Sequence, residues 1–68
     1  MNGDSAILKV DAAYGLKIKA GNRVQKGEKL GQEPGKTEPL ISPISGIVKK
    51  IVFNGNEHCF EIHIDISQ

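Results

Sequence analysis

His58, Cys59, Glu61, His63 and Asp65 place five potential metal-ligating or acid–base side chains in eight residues near the end of the chain. If this stretch is a strand, successive side chains alternate between its two faces. Cys59, Glu61, His63 and Asp65 then share one face, and His58 points to the other. Neighbours on one face lie ~6.5–7 Å apart, so Glu61 and His63 can grip one cation together. Cys59 and His63 are ~13 Å apart on the same rise and cannot share a zinc ion. A closed tetrahedral site needs further donors from another strand, and none is spaced to supply them. Glu61 and His63 are therefore the metal candidates, set against an ordinary polar, solvent-facing strand surface; the expectation is no metal. Cys59 as a nucleophile needs a base and an oxyanion-stabilising loop. No such loop is recognisable, so the expectation is a half-buried thiol, no catalytic residue and no enzyme.

Gly35-Lys36-Thr37 ends like a phosphate-binding loop, but Leu30 stands where the first glycine belongs and no helical pattern follows. Lys17, Lys19, Lys49 and Lys50 are candidates for one basic side. The whole chain has two Phe, one Tyr and no Trp, so no stacking platform for single-stranded nucleic acid exists. Nine basic residues against eight acidic leave a net charge of +1. That balance argues against nucleic acid and against an anionic membrane surface. The lysines read as a solvated face or as a docking patch for an acidic protein partner.

The elements that would position these residues are strands. From Ala6 to Ala12, Leu8, Val10 and Ala12 alternate with Ile7, Lys9 and Asp11. Tyr14-Gly15 breaks the run. From Gly15 to Ala20, Leu16, Ile18 and Ala20 point inward and Lys17 and Lys19 outward. Gly21-Asn22 is a turn, because both residue types tolerate positive φ. Val24 lies between that turn and the next, at Gly27. Lys29 to Glu33 is a short strand, Pro34 to Pro39 a loop, and Leu40-Ile41-Ser42 an extended piece favoured by Pro43. Gly46 to Phe53 is β by content, Asn54-Gly55 is a hairpin signal, and Phe60, Ile62, Ile64 and Ile66 alternate with Glu61, His63, Asp65 and Ser67. No apolar period of 3.6 persists, so no substantial helix is expected. Short strands with frequent turns predict an all-β sandwich or small barrel. A faint echo relates Gly15-Leu16 … Gly21-Asn22 to Gly46-Ile47 … Gly55-Asn56, with spacings that differ by three residues.

Sixty-eight residues allow one domain, here 1–68 with a core from about 6 to 66. A single cysteine excludes an internal disulfide and a cysteine-rich zinc site. No apolar run approaches the ~20 residues that span a bilayer, and Met1-Asn2-Gly3-Asp4-Ser5 lacks the pattern of a signal peptide. The expectation is a soluble, cytoplasmic chain without membrane insertion. A thin core with exposed strand edges makes a homodimer a further expectation.

Two stretches carry a resemblance. Ile18, Gly21, Asn22, Val24, Gly27 and Leu30 fit V-x-x-G-D-x-V-x-x-G-x-x-L, with Asn for Asp. Pro43, Gly46 and Val48 fit A-P-x-x-G-x-V, with Ser42 for Ala. In these two clauses the chain resembles the biotinyl/lipoyl-carrier domains, the barrel-sandwich hybrids, over about residues 15 to 66. The resemblance implies a small flattened β-barrel in which Gly21, Asn22, Gly27, Pro43, Gly46 and Gly55 shape turns or tight corners. It also implies a covalent biotin or lipoate on a lysine at a hairpin tip between the clauses. Carriers place that lysine eight residues before the proline, beside Met or between Asp and Ala. Here Gly35 holds that place and Lys36 is one position later, beside Thr37 and bracketed by Pro34 and Pro39, which remove ladder donors that a tight hairpin needs.

The stretch from Pro43 to Ile51 with Phe60 to Ile64 is similar to the unmodified module of Rnf-complex C subunits and of the A subunit of sodium-pumping quinone reductases. That similarity implies a structural and docking element with no cofactor of its own. The reading is a non-catalytic biotinyl/lipoyl-like module that meets a protein partner, beside redox or membrane-transport machinery. The first alternative is a swinging-arm carrier modified at Lys36. The second is the hairpin module of a membrane fusion or efflux adaptor, which expects flanking helical heptads that this chain does not contain.

Overall fold

The computed structural model describes residues 5–66; the start of the chain that bears on a targeting signal (1–4) and Ser67, read as a strand position, lie outside them. The chain is all-β, a small barrel-like sandwich whose larger sheet curls. Its strands are β1 (Ser5–Asp11), β2 (Arg23–Val24), β3 (Lys29–Gln32), β4 (Pro39–Ile41), β5 (Gly46–Asn54) and β6 (Cys59–Ile66). The one helical turn among the described residues is a 3-10 turn at Ala12–Tyr14. No helix of the described residues is long and apolar enough to cross a membrane.

The larger sheet runs β1-β6-β5-β2, antiparallel throughout, and β3 pairs with β4 in the smaller one. Alternation in β1 and β6 aims Val10, Ile62 and Ile64 at one core, which Val24, Val48 and, from the small sheet, Leu30 complete. Leu8, Leu16, Ile18, Leu40, Ile44 and Ile51 pack around it. A core assembled from both sheets is what makes this a sandwich rather than a lone curled sheet.

The curl has a local cause in β5. Val48 faces Ile64 on β6 but Lys50 faces His63, so Lys49 is the extra residue of a β-bulge. A bulge bends its strand and increases the twist. It also resets the alternation: Gly46 and Val48 are buried, Lys49 and Lys50 are both exposed, and Ile51 turns back toward the core. The lysine pair within an apolar run marks the bulge, although simple period-two reading of Ile47 to Phe53 passes over it.

Four expectations are corrected. Residues 15–20 keep the predicted alternation, Leu16 and Ile18 in and Lys17 and Lys19 out, but they join no sheet and Ala20 is exposed. The echo between the two halves therefore does not extend to strand pairing. At the first turn only Gly21 has a positive φ, 95°. Asn22 acts through its side chain instead: Oδ1 accepts from Lys19 N–H at 3.1 Å, an alternative to backbone bonding that asparagine offers readily. The β5–β6 hairpin forms where Asn54-Gly55 marks it, but with a longer loop than the two-residue turn that this pair favours. Residues 55–58 form the loop, Asn54 Oδ1 accepts from Asn56 and Glu57 N–H, and His58, not Gly55, takes the left-handed conformation at φ 54°.

Gly46 is needed for another reason than a turn. It lies buried inside β5, and a Cβ there would collide with the backbone oxygen of Asp65 and come within 2.8 Å of Ile64 Cγ2. Gly27, in contrast, adopts φ 92° in open space, which is the requirement of a turn.

Candidate functional site

The two glycine-and-proline clauses meet in space. Gly21 N–H donates to Val48 O at 2.8 Å and Val48 N–H to Asn22 O at 2.9 Å. Gly27 N–H donates to Ser42 O at 2.8 Å and Ser42 N–H to Glu28 O at 2.9 Å. Lys26 N–H adds a bond to Ser45 Oγ at 2.9 Å. Ser42 is 1% exposed, and its Oγ donates to Ile44 O at 2.6 Å, which settles the hydroxyl beside Pro43. A buried polar side chain must find such a partner. Each turn of the first clause is thus tied to the second by a reciprocal pair of backbone bonds.

Between the clauses, β3 and β4 form a hairpin with residues 33–38 at its tip. Pro34 and Gly35 (φ 73°) occupy the middle of a turn closed by Lys36 N–H donating to Glu33 O at 3.2 Å. Proline first and left-handed glycine second is the chemistry of a type II turn. Glu33 N–H donates to Glu38 O at 3.2 Å, and Gln32 Nε2 to Thr37 O at 2.7 Å. The expectation that Pro34 and Pro39 disfavour a hairpin is corrected here. Pro34 sits at a corner whose N–H is not required, and Pro39 starts a strand with a free edge. Lys36 consequently stands on a hairpin tip, its side chain 62% exposed and its Nζ 3.4 Å from Glu33 Oε1. At that exposure the ion pair holds the ammonium only loosely.

The polar face of β6 is less open than its sequence suggests. Cys59 is completely buried, not half-buried, and does not lie on a solvent-facing surface. It pairs with Asp11 and Asn54 at the end of the sheet, where Ala12 N–H donates to His58 O at 3.1 Å and draws the 3-10 turn across the hairpin loop. Its Sγ lies 3.9 Å from Glu57 Oε1. Burial, with the Glu57 charge second, pushes the thiol above its ordinary pKa. A thiol without thiolate character is a poor nucleophile. In the folded protein at pH 8, Cys59 should react with a disulfide reagent about 100-fold slower than in the denatured chain, through opening of the structure. Stopped-flow absorbance of the native and guanidinium-unfolded protein measures both rates.

Glu57, which sequence reading did not single out, pairs with Lys9 across 48 positions, Nζ to Oε1 at 2.8 Å. This bond raises the Lys9 pKa and lowers that of Glu57. Both side chains are about half exposed, so the pair adds little to stability. No local signal links residues so far apart in sequence.

Glu61 and His63 do share a face, as predicted. Glu61 accepts from Asn54 Nδ2 at 3.1 Å and lies opposite Lys9 and Val52; His63 lies opposite Ile7 and Lys50. None of those neighbours supplies another ligand, and no group of three or more His, Cys, Asp or Glu among the described residues is arranged to hold a metal ion. His58 belongs to the hairpin loop rather than to the opposite strand face, and its ring meets Phe53 edge-on at 6.1 Å. Of the lysines expected on a basic side, Lys50 lies opposite His63 on the large sheet and Lys17 lines a cleft with Lys29 and Tyr14.

No protein-family model, curated protein or solved structure matches this chain.

Proposed function

We propose that this chain is a non-catalytic module of the biotinyl/lipoyl-carrier type, unmodified, cytoplasmic and used for docking to a protein partner. The observation that carries the reading is the reciprocal bonding of the two clauses, Gly21 and Asn22 to Val48 and Gly27 and Glu28 to Ser42. It gives the clause residues a shared structural task that requires no cofactor. The neighbours of Lys36 favour the unmodified form: a six-residue tip, a Glu33 partner and a position one residue late for the carrier pattern. An association with redox or membrane-transport machinery rests on the sequence resemblance.

A second reading has one observation in its favour. Lys36 projects from a hairpin tip between the clauses, where a carrier lysine would belong, so modification with biotin or lipoate is the alternative. Intact-protein mass spectrometry after co-expression with a biotin ligase, and separately with a lipoate ligase, separates the two. The expected result is the unmodified mass in both cases. An adduct that disappears in Lys36→Arg overturns the proposal in favour of the carrier.

A further inference from the structure

We propose that a cleft beside the β3–β4 hairpin receives an acidic and apolar segment of a partner polypeptide, an inference that deepens the docking reading and rests on it. The cleft holds about 260 Å3 and is lined by Tyr14, Gly15 and Lys17, by Lys29–Gln32 of β3 and by Pro39 of β4. Leu30 is buried beneath it, and Gly31 has no side chain because a Cβ there would press to 2.6 Å from Val10 Cγ1. An occupant at Gly31 therefore lies close to the β3 backbone, and the cleft offers polar and apolar surface in nearly equal parts.

The walls supply charge and an aromatic ring. Lys17 and Lys29 make no salt bridge among the described residues, and no carboxylate lines the cleft. Two lysines without an ion-pair partner among the described residues, lining a cleft of mixed polar and apolar surface, select an anionic occupant with an apolar part. Tyr14 is 70% exposed, yet its backbone is held. Asp11 Oδ1 accepts from Ala13 N–H at 2.9 Å, Gly15 N–H donates to Ala12 O at 3.3 Å, and Gly15 ends the turn at φ 81°. A solvent-facing aromatic ring on a fixed turn offers contact area at low entropic cost, as interface tyrosines do.

The cleft is open to solvent along one side rather than enclosed. An open site suits one or two side chains of a longer binder that continues past it, whereas small-molecule sites usually bury most of their ligand.

The test is an NMR titration of the isotope-labelled 68-residue chain with a capped pentapeptide of alternating glutamate and leucine. A lysine–leucine peptide and succinate serve as comparison ligands. The glutamate–leucine peptide should shift the amides of Tyr14 to Lys17 and Lys29 to Gln32, with a dissociation constant on the order of 0.1–1 mM. Lys17→Glu with Lys29→Glu should weaken it at least tenfold; both positions are exposed, so an otherwise unchanged spectrum verifies the fold. Lys49→Glu with Lys50→Glu should change it less than twofold. No shift up to about 2 mM peptide, shifts centred elsewhere, or indifference to the Lys17 and Lys29 reversal overturns the proposal. So does succinate binding as tightly as the peptide, which would make this a small-anion site. Failure here with an unmodified Lys36 removes the cleft and leaves the module reading standing. An adduct on Lys36 removes the module reading without touching the peptide result.

Discussion

Gly46→Ala abolishes the folded state. The new methyl group would overlap the backbone oxygen of Asp65 and crowd Ile64 Cγ2. A flexible side chain could swing away, but Asp65 is part of β6, and its peptide is fixed by the ladder to β5 on one side and β1 on the other. Relief requires separating β5 from β6 at Gly46, the position that also pairs with Val24 on β2. Overpacking in a core usually costs ~1–3 kcal/mol, and more where backbone must move. A domain of this size rarely has more than ~3–5 kcal/mol in total. The variant should therefore show no cooperative urea transition and a collapsed amide spectrum at 25 °C. Gly27→Ala is the control. Its φ of 92° strains an alanine by about 1–2 kcal/mol, but nothing lies within 4 Å of the added carbon, so it should fold with a lower midpoint. Equal midpoints for the two variants would show that the close approach at Gly46 is not limiting.

Ile62→Ala should be nearly as damaging by the opposite mechanism. Ile62 is fully buried in the middle of β6, flanked by Leu8 on β1 and Ile51 on β5. Removing its outer carbons sacrifices their transfer free energy and leaves a cavity, together about 2–5 kcal/mol. Neighbours on three paired strands cannot collapse into the space without giving up register. Against the same small total, the population at 25 °C should be mostly unfolded by circular dichroism and amide dispersion. Ile7→Ala, one position from Leu8 but 56% exposed on the other face, should change stability by no more than about 0.5 kcal/mol. An Ile62→Ala protein with the midpoint of Ile7→Ala would place the core elsewhere.

The contrast between Ile7 and Ile62 bears on what sequence can reveal. Alternation in β1 and in β6 from Phe60 onward identified both faces correctly, because the two-residue period of a strand is local. Lys9 outward and Val10 inward needed no knowledge of the rest. The same rule misjudged Cys59. Its face is polar along most of β6, but at the end of the sheet the 3-10 turn and the 55–58 loop fold over it, joined by the Ala12–His58 bond. Residues 15–20 show the complementary limit. Their alternation is real, yet alternation says only which side is apolar, and among the described residues they pair with no strand.

At the candidate site, the positions of Gly21, Gly27, Pro34 and Gly35 were legible as turns, since each has a backbone preference that acts within a few residues. That Pro34 and Pro39 permit a hairpin, and so carry Lys36 to its tip, was not. The outcome depends on which backbone groups face a partner, and that is set by β3 and β4 coming together.

The amino-acid sequence by itself determined an all-β chain, the inward and outward faces of its long strands and the places where it turns. These follow from φ preferences and from a period of two, both properties of neighbouring residues. Only the tertiary structure decided the rest: the bulge at Lys49, the close approach that requires glycine at 46, the burial of Cys59, the Lys9–Glu57 pair and the cleft between Tyr14 and β3. Each of these depends on register between distant segments, which is chosen by how both sheets together fill one small core.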